Sequence, residues 1–203
     1  MNALKLLRSF FALAFFVSPL FSRDVILEFK GAYFLPTHCD FRHIYHDGSG
    51  LYGAELTAQL CNNKYWYGFA SIDYFRKKGH SLGLCSPTKV SLLPLAFGLK
   101  YFVPMLCECA DFYLGLGFQP VHVSTTNCSK FVIEKQSRWG LGGIAKTGVY
   151  YYLPRNFLVD FFVDYSFVKV DCKNKCHPRT GPVILRKANV SGAAFGVGVG
   201  YRF

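Results

Sequence analysis

From Ser191 to the C-terminus the side chains sort by parity. Ala193, Phe195, Val197, Val199, Tyr201 and Phe203 take the odd positions, and Gly192, Ala194, Gly196, Gly198, Gly200 and Arg202 the even ones. Successive side chains of a strand point to opposite faces, so this segment reads as a strand with all its bulk on one face. The helical period would mix the two sets. Phe157 to Phe167 repeats the pattern, with Phe157, Val159, Phe161, Val163, Tyr165 and Phe167 opposing a face that holds Asp160, Asp164 and Ser166. One purely apolar face and one face mixing polar groups with filler is what a wall between lipid and a lumen requires.

The same period gives eight strands, each near the length a tilted membrane strand needs: Val25 to Leu35, Leu51 to Cys61, Tyr65 to Phe75, Val90 to Val103, Phe112 to Val123, Arg138 to Tyr151, Phe157 to Val170 and Asn189 to Phe203. The third and sixth are ambiguous, because aromatics fall on both faces of Tyr65 to Phe75 and Lys146 shares parity with Ile144. Connections alternate between long (Pro36 to Gly50, Arg76 to Lys89, Ser124 to Ser137, Asp171 to Ala188) and short (Asn62 to Lys64, Pro104 to Asp111, Tyr152 to Asn156). Long outer loops and short periplasmic turns alternate in this way in a barrel whose ends both face the periplasm. The expected fold is all-β, an antiparallel eight-stranded transmembrane β-barrel over 23–203. A soluble lipocalin-like barrel would put its apolar face inward, which would crowd the rings into the cavity and leave glycine outside. Helical spans are excluded, since Leu92 to Val103 contains Pro94 and Lys100, and Phe157 to Val170 contains Asp160 and Asp164.

Residues 1–22 differ. Lys5 and Arg8 precede the apolar run Phe10 to Val17, and Ser18, Pro19 and Ser22 follow, as in a cleaved secretory signal peptide. All eight cysteines, Cys39, Cys61, Cys85, Cys107, Cys109, Cys128, Cys172 and Cys176, fall in the exported part and are disulfide candidates. Neither Cys107-Glu108-Cys109 nor the Cys172, Cys176 and His177 group has a paired zinc spacing, so no metal and no cofactor is expected. The glycine-rich stretches lack the strand-to-helix context of a phosphate loop.

The chain carries 23 Lys and Arg against 12 Asp and Glu. Arg76, Lys77, Lys78, Lys130, Lys135, Arg138, Lys173, Lys175, Arg179, Arg186 and Lys187 are expected at an outer basic rim, either attracting polyanions such as sulfated glycans or neutralising outer-leaflet phosphates. Glu28, Lys30, Glu55, Lys100, Lys146, Asp160, Asp164 and Arg202 are expected inside as an ion-pair network. Eight strands leave room for side chains and not for a wide aqueous pore.

The ending Gly198-Val199-Gly200-Tyr201-Arg202-Phe203 resembles the C-terminal signal of outer-membrane barrels, which implies recognition of Gly198, Tyr201 and Phe203 by the barrel-assembly machinery. The mature chain resembles small outer-membrane proteins of the OmpW and OmpX kind. Lys30 to Pro36, Phe41 to Tyr45 with Asp47 and Gly48, and Trp139 to Gly143 look like the chlamydia-type branch of envelope barrels, which implies cysteines that cross-link the envelope. His122 and Ser124 with Glu134 resemble the His-x-Ser and following Glu of membrane-barrel lipid A deacylases, where the histidine activates the serine and the carboxylate orients it. The expected function is that of a surface-exposed integral protein of a Gram-negative outer membrane, structural or adhesive, in contact with membrane lipid. A narrow solute channel is the alternative, and a lipid A-modifying hydrolase a weaker one. No nucleic-acid partner is expected.

Overall fold

The computed structural model describes residues 21–37, 48–60, 63–80, 87–104, 109–127, 135–174 and 184–203. The strands are β1 (Phe21–Pro36), β2 (Ser49–Leu60), β3 (Trp66–His80), β4 (Pro87–Pro104), β5 (Ala110–Asn127), β6 (Lys135–Tyr152), β7 (Phe157–Asn174), β8 (Ile184–Asn189) and β9 (Gly192–Arg202). Each pairs antiparallel with its neighbour from β1 to β7, and β9 pairs with both β7 and β1, which closes the cylinder. β8 and β9 are two arms of one wall strand: Lys169 faces Asn189 and Ser166 faces Gly192 in the same register on either side of Val190 and Ser191. At that break the Val168 N–H donates to Ser191 Oγ at 3.1 Å, and the Val190 N–H donates to the Val168 carbonyl at 2.9 Å. The fold is therefore the expected closed eight-stranded barrel, with the start of β1 at Phe21 and the C-terminal Phe203 at the same, inner end.

Outward residues alternate with inward ones as the parity requires. Phe161 is 57% exposed and Phe162 4%, and in β9 Phe195, Val197 and Val199 face out while Ala194, Gly198 and Gly200 are buried. The ambiguous strands resolve the same way. In β3 Tyr67, Phe69 and Phe75 point inward and Ile72 and Tyr74 outward; in β6 both Ile144 and Lys146 point inward.

The strands run further at the outer end than the hydrophobic pattern indicates, because polar residues continue the ladder beyond the apolar belt. Lys78 pairs with Lys89, Thr126 with Lys135 and Cys172 with Arg186. Arg76, Lys77, Lys78, Lys135, Lys173, Arg186 and Lys187 therefore stand on strands rather than in loops, and Arg138 on a strand as expected.

Two glycines make the interior possible. A Cβ at Gly198 would collide with Glu28 Oε1, and one at Gly148 would lie 2.7 Å from Tyr113 Oη. In each case the missing side chain leaves room in the lumen for a group of the neighbouring strand, Glu28 of β1 beside β9 and Tyr113 of β5 beside β6.

Candidate functional site

The lumen is layered. Its outer third is an apolar cluster of Phe34, Phe75, Val90, Leu92, Val121, Val168, Val170, Val190 and Ala194. Its inner third is largely aromatic, with Tyr67, Phe102, Tyr113, Tyr150 and Phe162 joined by Ile26 and Leu158. Between them lies a layer of buried charge.

Glu55 of β2 is the hub of that layer. Its Oε2 meets Lys146 Nζ at 2.9 Å and Lys30 Nζ at 3.2 Å, and its Oε1 pairs with Lys100. Lys146 also reaches Asp164 Oδ2 at 2.8 Å, and Lys30 reaches Asp160 Oδ2 at 3.4 Å and Glu28 Oε1 at 3.5 Å. Lys100 donates to Tyr150 Oη at 2.9 Å, Tyr150 donates onward to Glu28 Oε2 at 2.9 Å, and Tyr113 donates to Asp160 Oδ2 at 2.9 Å. Desolvated charges persist only when paired and hydrogen-bonded, and here six strands supply the partners.

Seven of the eight expected network residues take part; Arg202 instead pairs with Asp24 at 2.6 Å at the half-exposed inner mouth. Tyr113 and Tyr150, both 0% exposed, are the members that charge alone does not reveal. Their signal was their place on the inward parity of β5 and β6.

The layer draws on β1, β2, β4, β5, β6 and β7 and so crosses the barrel. The cavity beside it, lined by Phe34, Asp73, Phe75, Gln119 and Ile144 among others, has a free volume of about 30 Å³. That holds a water molecule, whereas small-molecule pockets run to about 300 Å³ or more.

On the outer wall, His122 Nε2 lies 2.6 Å from Ser137 Oγ, and its ring stands 4.9 Å from that of Trp139. Ser124 is the ladder partner of Ser137, so the hydroxyl bonded to His122 comes from β6 and not from the His-x-Ser sequence. Glu134 lies outside the described residues, as do Lys130, Lys175 and Arg179. The basic run Arg76 to Lys78 is split by strand parity. Arg76 and Lys78 are exposed on the outer wall, whereas Lys77 is half-buried and donates to the Gly48 carbonyl at 2.7 Å. The backbones of Lys173, Arg186 and Lys187 are described within β7 and β8.

Among the cysteines, Cys109 is exposed at the inner turn before β5 and Cys172 belongs to the outer end of β7. Cys39, Cys61, Cys85, Cys107, Cys128 and Cys176 lie outside the described residues. Gly198 is buried against Glu28, while Tyr201 and Phe203 face outward with their rings 4.9 Å apart.

A closed wall with bulky apolar residues outside and charge inside defines an integral membrane β-barrel. No protein-family model matches the chain, and no curated protein matches it. Solved structures do. The outer membrane protein OprG from Pseudomonas aeruginosa superposes with a TM-score of 0.64 at 18% identity, over 90% of this chain and 97% of that one. Escherichia coli outer membrane protein W gives 0.55 at 18% identity, over 90% and 98%. Ail, the attachment invasion locus protein of Yersinia pestis, solved with the heparin analogue sucrose octasulfate, gives 0.53 at 13% identity, over 89% and 98%. The chain has the fold of the small eight-stranded barrels of bacterial outer membranes. These neighbours do not bear on the chlamydia-type resemblance.

Proposed function

We propose that this chain is a surface-exposed structural barrel of a bacterial outer membrane that passes no solute through its centre. The observation that carries this reading is the buried layer built on Glu55, with an apolar cluster above it and an aromatic one below. Reconstitution in planar bilayers tests it. The reading expects no discrete conductance; reproducible single-channel steps would favour the narrow channel instead.

The rest of the reading builds on sequence. Residues 1–22 direct export, and Gly198, Tyr201 and Phe203 address the chain to the barrel-assembly machinery. Cysteines at both ends of the barrel link it to other envelope proteins. A second role, adhesion to sulfated glycans, is favoured by the positive balance of 23 basic against 12 acidic residues and by the heparin analogue bound to the similarly folded Ail. Retention on a heparin column that is lost at high salt would support it, and passage through the column at low salt would count against it.

A further inference from the structure

The outer wall above the apolar belt carries cations in an arrangement a bare sheet would not favour. On β3 the even residues face out, and on β4 the odd ones do. The register sets Lys78 directly opposite Lys89, and Arg76 opposite Ser91 one step nearer the membrane. Like charges facing each other across an antiparallel pair repel and weaken it.

Among the described residues no compensating carboxylate stands on this face. The described acidic side chains, Asp24, Glu28, Glu55, Asp73, Asp111, Asp160 and Asp164, all belong to the lumen or the inner end, and Arg76, Lys78 and Lys89 form no ion pair with a described residue. Hydroxyls lie alongside instead. Ser124 is the β5 partner of Ser91, and Ser137 the β6 partner of Ser124.

The next row toward the membrane is interfacial, with Tyr74 exposed on β3, His122 on β5, and Trp139 62% exposed on β6. Below it come Ile72, Leu95 and Leu141, then Phe97 and Phe118. Aromatic girdles mark the edge of the hydrocarbon. A rise of about 3.3 Å per residue, shortened by strand tilt, puts Arg76 about 5 Å and Lys78 with Lys89 about 10 Å beyond that edge, which is headgroup depth.

We propose that Arg76, Lys78 and Lys89 bind the phosphate groups of an outer-leaflet glycolipid, whose acyl chains lie along the apolar wall beneath. Ser91 and Ser124 add neutral donors at the same height. The partner is a membrane lipid and not a soluble polyanion, because the cations stand directly above lipid-facing aromatics on the outside of the wall. Arg76 and Lys78 are thereby reassigned from the glycan-attracting rim to the bilayer. Binding relieves the Lys78–Lys89 repulsion, so the lipid stabilises the outer end of the β3–β4 pair.

Native mass spectrometry of the refolded barrel tests this, with lipid A carrying two phosphates and its dephosphorylated form as competing probes. The wild type should retain the phosphorylated form preferentially. The R76Q/K78Q/K89Q variant, still heat-modifiable on a gel and therefore still a barrel, should lose that preference by roughly 100-fold, at about fivefold per cation. Lys64→Gln at the inner turn should keep it. The proposal is overturned if the triple variant retains the wild-type preference. Equal retention of phosphatidylglycerol by both proteins would overturn it too, by reducing the patch to a general surface potential. So would displacement of lipid A from the wild type by soluble heparin fragments.

Discussion

Replacing Glu55 by Gln should destabilise the barrel out of proportion to the size of the change. Glu55 meets Lys30, Lys100 and Lys146, but the three do not depend on it equally. Lys30 keeps Glu28 and Asp160, and Lys146 keeps Asp164. Lys100 keeps the Tyr150 hydroxyl at 2.9 Å and the faces of Tyr113, Tyr150 and Phe69, at 4.2, 5.0 and 5.9 Å, but no carboxylate in an ion pair. It becomes a buried cation without a counter-charge, which costs about 3–5 kcal/mol. Unfolding in urea, followed by tryptophan fluorescence in lipid vesicles, measures the loss. The double variant E55Q/K100M removes the stranded charge and should recover at least half of it, a coupling of about 2 kcal/mol. A loss below about 1 kcal/mol for E55Q, or strictly additive single and double variants, would refute the assignment of Lys100 as the dependent partner.

Other consequences follow from the wall and the termini. Leu116→Arg, at a position 73% exposed on the belt, should cost about 2–4 kcal/mol in bilayers, measured by the same titration. Gly198→Val should cost about 1–3 kcal/mol or block folding, because its side chain would occupy the place of the Glu28 carboxylate, whereas Val197→Ala on the opposite face should cost less. The alternation of long outer and short inner connections expected from the sequence puts Cys39, Cys85, Cys128, Cys172 and Cys176 toward the outer end, and Cys61, Cys107 and Cys109 toward the inner end. A disulfide needs Cα atoms within about 7 Å, so none can join the two ends. Both sets are odd, so an oxidised monomer should keep at least one alkylatable thiol at each end; a monomer with none, by mass after alkylation, would contradict the topology.

The sequence made the wall legible wherever one face of a strand is purely apolar and the other carries charge or glycine. β7 and β9 are such strands, and their parity survives in the structure without exception. β3 was opaque because the lumen admits Tyr67, Phe69 and Phe75, so rings lie on both faces. β6 was opaque because the lumen is layered. Ile144 packs with Phe69 and Ala96, while Lys146, two residues further along the same face, reaches Glu55 and Asp164.

Strand ends were underestimated at the rim, where the ladder continues through lysine and threonine and leaves no hydrophobic trace. Parity placed the charged residues in the lumen, but the pairing of Glu55 with three lysines and the tyrosine relays depend on register between strands. The partner of His122 was missed for the same reason. Ser124 is nearer in sequence, but the cross-strand register brings Ser137 to its ring.

Depth-dependent quenching tests the wall most directly. With Trp66 and Trp139 replaced by Phe, single tryptophans at Phe161, Phe162 and Val163 of β7 would be reconstituted in phosphatidylcholine brominated at mid-chain. Emission from positions 161 and 163 should be strongly quenched, and that from 162 should match an unbrominated control. Equal quenching at all three, or quenching confined to 162, would mean that alternate residues of β7 do not divide between hydrocarbon and lumen.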